Sequence, residues 1–141
     1  MAEPTAMRVE LVSPEKILFS GEATMVLVRT LGGGDIAFMP GHAPFLAALT
    51  EHAAKLHLAD GSVMNVAVHG GFVEVSNNKV SILSDVAELS TQIDVARAQR
   101  AQAAAEARAA GDDDAAAALR RAKVRLTVAG APAHAGSAAG H

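Results

Sequence analysis

Lys55-Leu-His-Leu-Ala-Asp-Gly-Ser-Val-Met-Asn-Val-Ala-Val68 sets two apolar-rich runs on either side of Asp60-Gly61. Asp-Gly between such runs is the strongest short-range hairpin signal a chain can carry, because the turn needs residues that accept positive φ. Just downstream, Phe72–Val75 and Lys79–Leu83 flank Asn77-Asn78, a second hairpin of the same logic. Upstream, Arg8–Val12 alternates as a half-buried strand does, Ser13-Pro14-Glu15 reads as a turn, and Ile17–Phe19 as a short strand broken by Ser20-Gly21. Thr24–Thr30 is the longest continuous apolar run among these segments and is expected near the middle of a sheet. Eight or nine short strands in about 85 residues, with turn signals every 8–12 residues, argue for an antiparallel sandwich or barrel.

Asp35–Leu49 joins the two halves of this β region. Ile36–Met39 reads as a short strand, Pro40-Gly41 and Pro44 as a rigid corner around an exposed His42, and Phe45, Leu46 and Leu49 as one helical turn opened by Pro44. Near Ser90 the pattern changes. Ser90 or Thr91 is expected to cap a first helix, with Asp94 in its first turn. Gly111 stops that helix, Asp112-Asp-Asp114 caps a second over Ala115 to about Val128, and Gly130 and Pro132 end it. Arg120, Arg121, Lys123 and Arg125 are placed toward its C-terminal end, where the helix dipole favours cations. The organisation is therefore a β-sandwich over 1–89, an antiparallel α-helical hairpin over 90–130 and a disordered tail over 131–141, mainly β plus α. Alanine supplies most of the hairpin's apolar content, so its helices should form readily and attach weakly. Two readings stand: an element able to leave its docking surface, or an ordinary Ala-rich hairpin that stays.

The chain has 141 residues, a net charge of −3, four Phe, no Trp or Tyr, and no Cys. It offers neither a basic field nor stacking aromatics for nucleic acid, and no thiolate chemistry; the absence of cysteine fits a reducing compartment. No run of about 18 apolar residues exists to span a bilayer, and Met1–Ala6 does not read as a signal peptide. Gly32–Gly34 lacks the Lys-Ser or Lys-Thr of a phosphate loop. His69-Gly-Gly71 has no nucleophile elbow to serve and reads as a sheet corner. His52, His57 and His69 match no zinc spacing, and nothing pairs Glu74, Asp85 and Glu88 as catalytic carboxylates. No catalytic residue or metal site is expected. The basic cluster is either a solvated helix face or a site for an acidic partner.

Four segments in order resemble the epsilon subunit of the bacterial F-type ATP synthase, equivalent to the mitochondrial delta subunit: Leu11–Gly21, Gly34–Pro44, Val68–Val75, and Val80–Glu88 followed by Ile93-Asp-x-x-Arg-Ala98. The resemblance covers about residues 7–129. It implies a ten-stranded β-sandwich with a helical hairpin, in a non-catalytic central-stalk subunit that couples proton or sodium translocation to ATP synthesis. The partners it implies are the gamma subunit, the c-ring and the alpha/beta hexamer. The subunit would be peripheral on the cytoplasmic side of the bacterial membrane and touch it only through the complex. By resemblance Asp35 contacts the c-ring, and Pro40, Gly41 and His42 contact gamma. An extended hairpin inhibits hydrolysis through Arg120, Arg121, Lys123 and Arg125 facing an acidic loop of the beta subunit. Some members bind regulatory ATP in the folded-down hairpin, and the corresponding positions are Glu88, Asp94, Arg97, Arg121 and Arg125. Two departures stand out: Ala104 where a further basic residue is expected, which should weaken or abolish ATP binding, and Gly34-Asp35-Ile36-Ala37 where the family often has Gly-Glu-x-Gly. Outside this family, the alternative is a free-standing β-sandwich module that binds an acidic partner through a basic helix.

Overall fold

The computed structural model describes residues 4–108 and 110–130; the expected tail over 131–141 lies outside them. Seven strands, β1 (Met7–Val12), β2 (Ile17–Thr30), β3 (Gly34–Phe38), β4 (Phe45–Leu58), β5 (Val63–Ser76), β6 (Lys79–Leu83) and β7 (Ala87–Leu89), precede a 3-10 turn at Ser90–Gln92 and two helices, α1 (Val95–Arg108) and α2 (Asp113–Gly130). The strands pair in the order β1-β6-β5-β4-β2-β3, with β7 on β5, and β1 also pairs β2, which closes the sheet on itself. All pairs are antiparallel except β1 with β6. β2, β4 and β5 are each 14 residues long, and each runs through both layers of the flattened barrel. Counted by layer, the seven strands give the two five-membered layers of a ten-stranded sandwich.

The short strands expected from the sequence merge accordingly. Ser20-Gly21 does not break β2, because both residues pair with β1. The expected helical turn at Phe45–Leu49 is instead the start of β4, paired residue for residue with Val75 through Gly71 of β5. Three apolar residues at i, i+1 and i+4 fit either period, and the neighbouring strand decides.

The long strands change layers by exchanging the face they turn inward. In β4, Leu49 is buried and then His52, Ala54 and Leu56; in β5, Val66 and Val68 are buried and then Val73 and Val75. The register between the two strands stays constant through this reversal, so both reverse at the same level, beside Gly70 (φ +88) and Gly71 (φ +118). The core between the layers includes Met7, Val9, Leu11, Val26, Val28, Phe38, Leu56 and Ile82. Both hairpins expected from the sequence are present: Asn77 and Asn78 have φ of 53° and 59°, and Gly61 has φ +94°.

α2 packs across the outer face of the layer that holds the second half of β4 and the first half of β5, and α1 packs on α2. The hairpin is thus folded down on the sandwich. Its buried residues are Ala98 and Ala105 in α1 and Ala115, Ala122 and Val128 in α2. The seven-residue spacing of the alanines on each helix is that of a close helix–helix seam. Val128 is the one buried side chain larger than alanine in the described hairpin, so apolar burial attaches it weakly. The caps differ from expectation in detail. Asp94 is the N-cap of α1, its Oδ1 accepting from Arg97 N at 3.0 Å, while Ser90 opens the 3-10 turn. α2 reaches Gly130, so its basic cluster lies in mid-helix, no basic residue occupies the last turn, and the helix dipole does not favour those cations as the sequence reading expected.

Candidate functional site

The charged contacts between hairpin and sandwich converge on two carboxylates. Arg125 Nε donates to Glu88 Oε1 at 2.7 Å, and Arg120 Nε donates to Glu51 Oε1 at 2.9 Å. Glu88 Oε1 also receives His69 Nε2 at 3.1 Å. Because a carboxylate oxygen only accepts, His69 carries its proton on Nε2. Its side chain is 3% exposed, and its Nδ1 is buried without a partner. Burial pushes the imidazole below its ordinary value, against the pull of Glu88. For Glu88, burial acts upward, but the hydrogen bonds from Arg125 and His69 outweigh it and hold the carboxyl below its ordinary value.

Glu88, Gln92, Asp94, Arg97, Ala98, Ala101 and Arg125 line a cavity of about 280 Å³ where the sandwich, the 3-10 turn and both helices meet. Four of the five residues proposed for ATP therefore come together, and Arg121 does not line the cavity. Asp94 already caps α1 with one carboxylate oxygen. Arg121 and Lys123 enter no ion pair among the described residues. Lys123 lines a second groove of about 400 Å³ beside α2, together with Arg29, Asp35, Glu51 and Lys55.

Asp35 sits at the edge of the sheet and is paired across the β2–β3 register with Arg29, whose Nε donates to it at 2.8 Å. That hydrogen bond holds the Asp35 carboxyl below the usual range. His42 is half-buried rather than exposed. Its ring meets Phe38 edge-on at 5.0 Å and Phe45 at 6.2 Å, and its Nδ1 bonds to Ala43 O at 2.7 Å. Gly41 N donates to Asn78 Oδ1 at 2.9 Å, and Asn78 Nδ2 donates to Ala6 O at 2.9 Å. The corner is thus tied to the Asn77-Asn78 turn and to the N-terminal segment. Among the described residues no group of three or more His, Asp or Glu side chains is placed to hold a metal ion.

Two features escaped sequence reasoning. Glu51 and His69 stand opposite each other in the β4–β5 register; no motif marks Glu51, and the Gly-Gly segment that contains His69 gives no sign of its contact with Glu88. On the sandwich face turned away from the hairpin, Phe72 pairs with Leu83, Leu83 with Val12, and Ala48 with Phe72, a row across four strands. Phe72 and Leu83 are 53% and 41% exposed, and nearby Leu46 is 68% exposed. The signal for this row lies in apolar residues at outward positions, which only the register identifies.

Residues 6–90 match the family model for the ATP synthase delta/epsilon chain, beta-sandwich domain. The chain belongs to the ATP synthase delta/epsilon family. An ATP synthase epsilon chain of Streptomyces griseus is 44% identical over 120 residues, 85% of this chain and 92% of that one. One from Thermobifida fusca is 42% identical over 132 residues, 92% and 96% of the two chains. This makes the protein a non-catalytic, epsilon-type subunit and sets aside the free-standing module. The fold is shared with a chain from the Euglena gracilis mitochondrial ATP synthase, in a structure of its OSCP/F1/c-ring assembly. That match has a TM-score of 0.69 at 19% identity and covers 100% of this chain and 85% of that one.

Proposed function

We propose that this epsilon-type subunit works in the central stalk, coupling ion translocation to ATP synthesis, and that its hairpin restrains ATP hydrolysis when it leaves the sandwich. The carrying observation is the docked hairpin itself: Arg120 and Arg125 are held by Glu51 and Glu88 of the sandwich region, while little apolar area holds the helices down. Undocking releases Arg120 and Arg125 from their carboxylates to join Arg121 and Lys123, so that four mid-helix cations face an acidic loop of the beta subunit in the alpha/beta hexamer. The exposed row through Phe72 and Leu83, with Leu46 and the Pro40-Gly41-His42 corner beside it, supports docking of the sandwich on the gamma subunit. Asp35, exposed at the sheet edge, is our candidate for the polar loops of the c-ring. No described helix is long and apolar enough to cross a membrane; in this reading the subunit meets the membrane through the complex, on its cytoplasmic side. Neutralising Arg121 and Arg125 together is expected to raise the ATPase rate of the reconstituted complex; an unchanged rate would exclude an inhibitory contact through these residues.

The cavity beside Glu88 favours a second, regulatory reading. Arg97 and Arg125 line the cavity and would bridge phosphates, Arg125 by exchanging its bond to Glu88, while Glu88 would accept from and Gln92 donate to a base. Ala104 withholds a further cation, so ATP is expected to bind weakly. Calorimetric titration of the isolated chain with ATP should give a dissociation constant in the upper micromolar to millimolar range. Absence of heat at millimolar ATP would remove the nucleotide reading and leave Asp94 as a helix cap only.

A further inference from the structure

We propose that His69 is a proton-operated release for the hairpin: a proton taken up at its buried, unpartnered Nδ1 weakens the Glu88–Arg125 contact and favours the undocked form. This rests on the reading of the hairpin as a movable element and adds what controls it. Glu88 Oε1 accepts from both Arg125 Nε at 2.7 Å and His69 Nε2 at 3.1 Å, so the imidazole and the guanidinium crowd one oxygen. With His69 neutral this arrangement carries one positive charge against one negative charge. With His69 protonated it carries two positive charges, and the new N–H at Nδ1 points into a buried position that offers no acceptor. A buried donor without a partner and a second cation beside Arg125 both penalise the docked state.

The other charged neighbours do not cancel this. Glu51, opposite His69 on β4, favours a charged imidazole, but its carboxylate is already engaged by Arg120 of α2. His52, also on β4, is buried, which holds its imidazole below the ordinary value, and a charge there would repel a charged His69. From α1 and the turn before it, Asp94 and Arg97 face the adjoining cavity with opposite charges. Undocking removes the Arg125 charge and the cover that α2 contributes over β5, so the imidazole rises toward its ordinary value near 6.5. The docked form therefore binds fewer protons than the undocked form near that pH. Docking is fully favoured above about pH 6.5 and is lost progressively as the pH falls through it. Glu88 itself stays ionised through this window, because its carboxyl lies below its ordinary value.

The chain has no cysteine, so two introduced cysteines can be labelled without background. Spin labels at Glu15→Cys and Ala107→Cys, both exposed positions, report the hairpin's distance from the sandwich in the full chain. Between pH 7.5 and 5.5 the ratio of undocked to docked chains is expected to rise severalfold, with a ceiling of about tenfold per pH unit for one proton. In His69→Gln, whose amide can still donate to Glu88, the ratio should be flat across the same range. His69→Asn serves as a second variant, and circular dichroism at each pH checks that the sandwich is intact. A pH response that persists in both variants, or no response in the parent chain, overturns the proposal. Glu88→Gln separates the two readings: if it fails to undock the hairpin at any pH, the movable hairpin falls together with its control. If it undocks the hairpin while His69→Gln leaves the pH response unchanged, only the role of His69 falls.

Discussion

Gly71→Ala is expected to lower the thermal midpoint of the sandwich by roughly 10 °C, while Gly61→Ala costs only a few degrees. Both glycines have positive φ, +118° and +94°, so both variants pay the backbone strain of an L-residue there, about 1–2 kcal/mol. They differ in their surroundings. A Cβ on Gly61 meets nothing within 4 Å, whereas one on Gly71 would stand 2.1 Å from Leu83 O and 3.0 Å from Ser84 Cα. Both of those atoms are backbone, at the point where β6 ends. Ser84 Oγ lies 2.7 Å from Gly70 O and 2.9 Å from Val86 O, which fixes the chain as it passes from β6 toward β7. The intrusion cannot be relieved by a side-chain rotation, so the total is about 3 kcal/mol or more. Thermal denaturation followed by circular dichroism measures the difference; equal midpoints for the two variants would show that the corner yields freely.

Glu88→Gln and Arg125→Gln break the same contact, yet only Glu88→Gln is expected to lower ATP hydrolysis. In Glu88→Gln the guanidinium keeps its charge but loses its half-buried counter-ion, so the docked state is penalised by about 1–3 kcal/mol. That is roughly a five- to 150-fold shift toward the undocked hairpin. The undocked arm keeps all its cations, and hydrolysis by the assembled complex should fall. Arg125→Gln also weakens docking, but it removes a cation from the arm that would reach the beta subunit, so hydrolysis should stay level or rise. Steady-state ATPase rates of complexes reconstituted with each variant decide the matter. A change of the same sign in both would mean that the contact acts only as a fastening and that Arg125 has no role once released.

Much of the fold was legible because its signals are local. Asp60-Gly61 and Asn77-Asn78 announce turns through backbone conformations that few residues tolerate, and Asp112 and the residues after Ile93 announce helices through their caps. Phe45–Leu49 misled for the same reason: its apolar spacing is compatible with two periods, and only pairing with β5 selects the strand. Of the candidate residues, Glu88, Asp94, Arg97 and Arg125 do meet around one cavity. Glu51 and His69 were not visible as members of the site, because Glu51 meets Arg120 across 69 residues and His69 meets Glu88 across 19.

Residue chemistry acting over a few positions was enough for the strands' turns, the switch from β to α near residue 90 and the weak apolar attachment of an Ala-rich hairpin, while the family came from the resemblance of four ordered segments. The packing of distant segments settled the rest: three long strands serve both layers, β4 and β5 exchange their inward faces beside Gly70-Gly71, and the hairpin lies down with Arg120 and Arg125 on sandwich carboxylates. Each of these depends on which distant backbone stands alongside, and a pattern of period two or 3.6 carries no information about its neighbour.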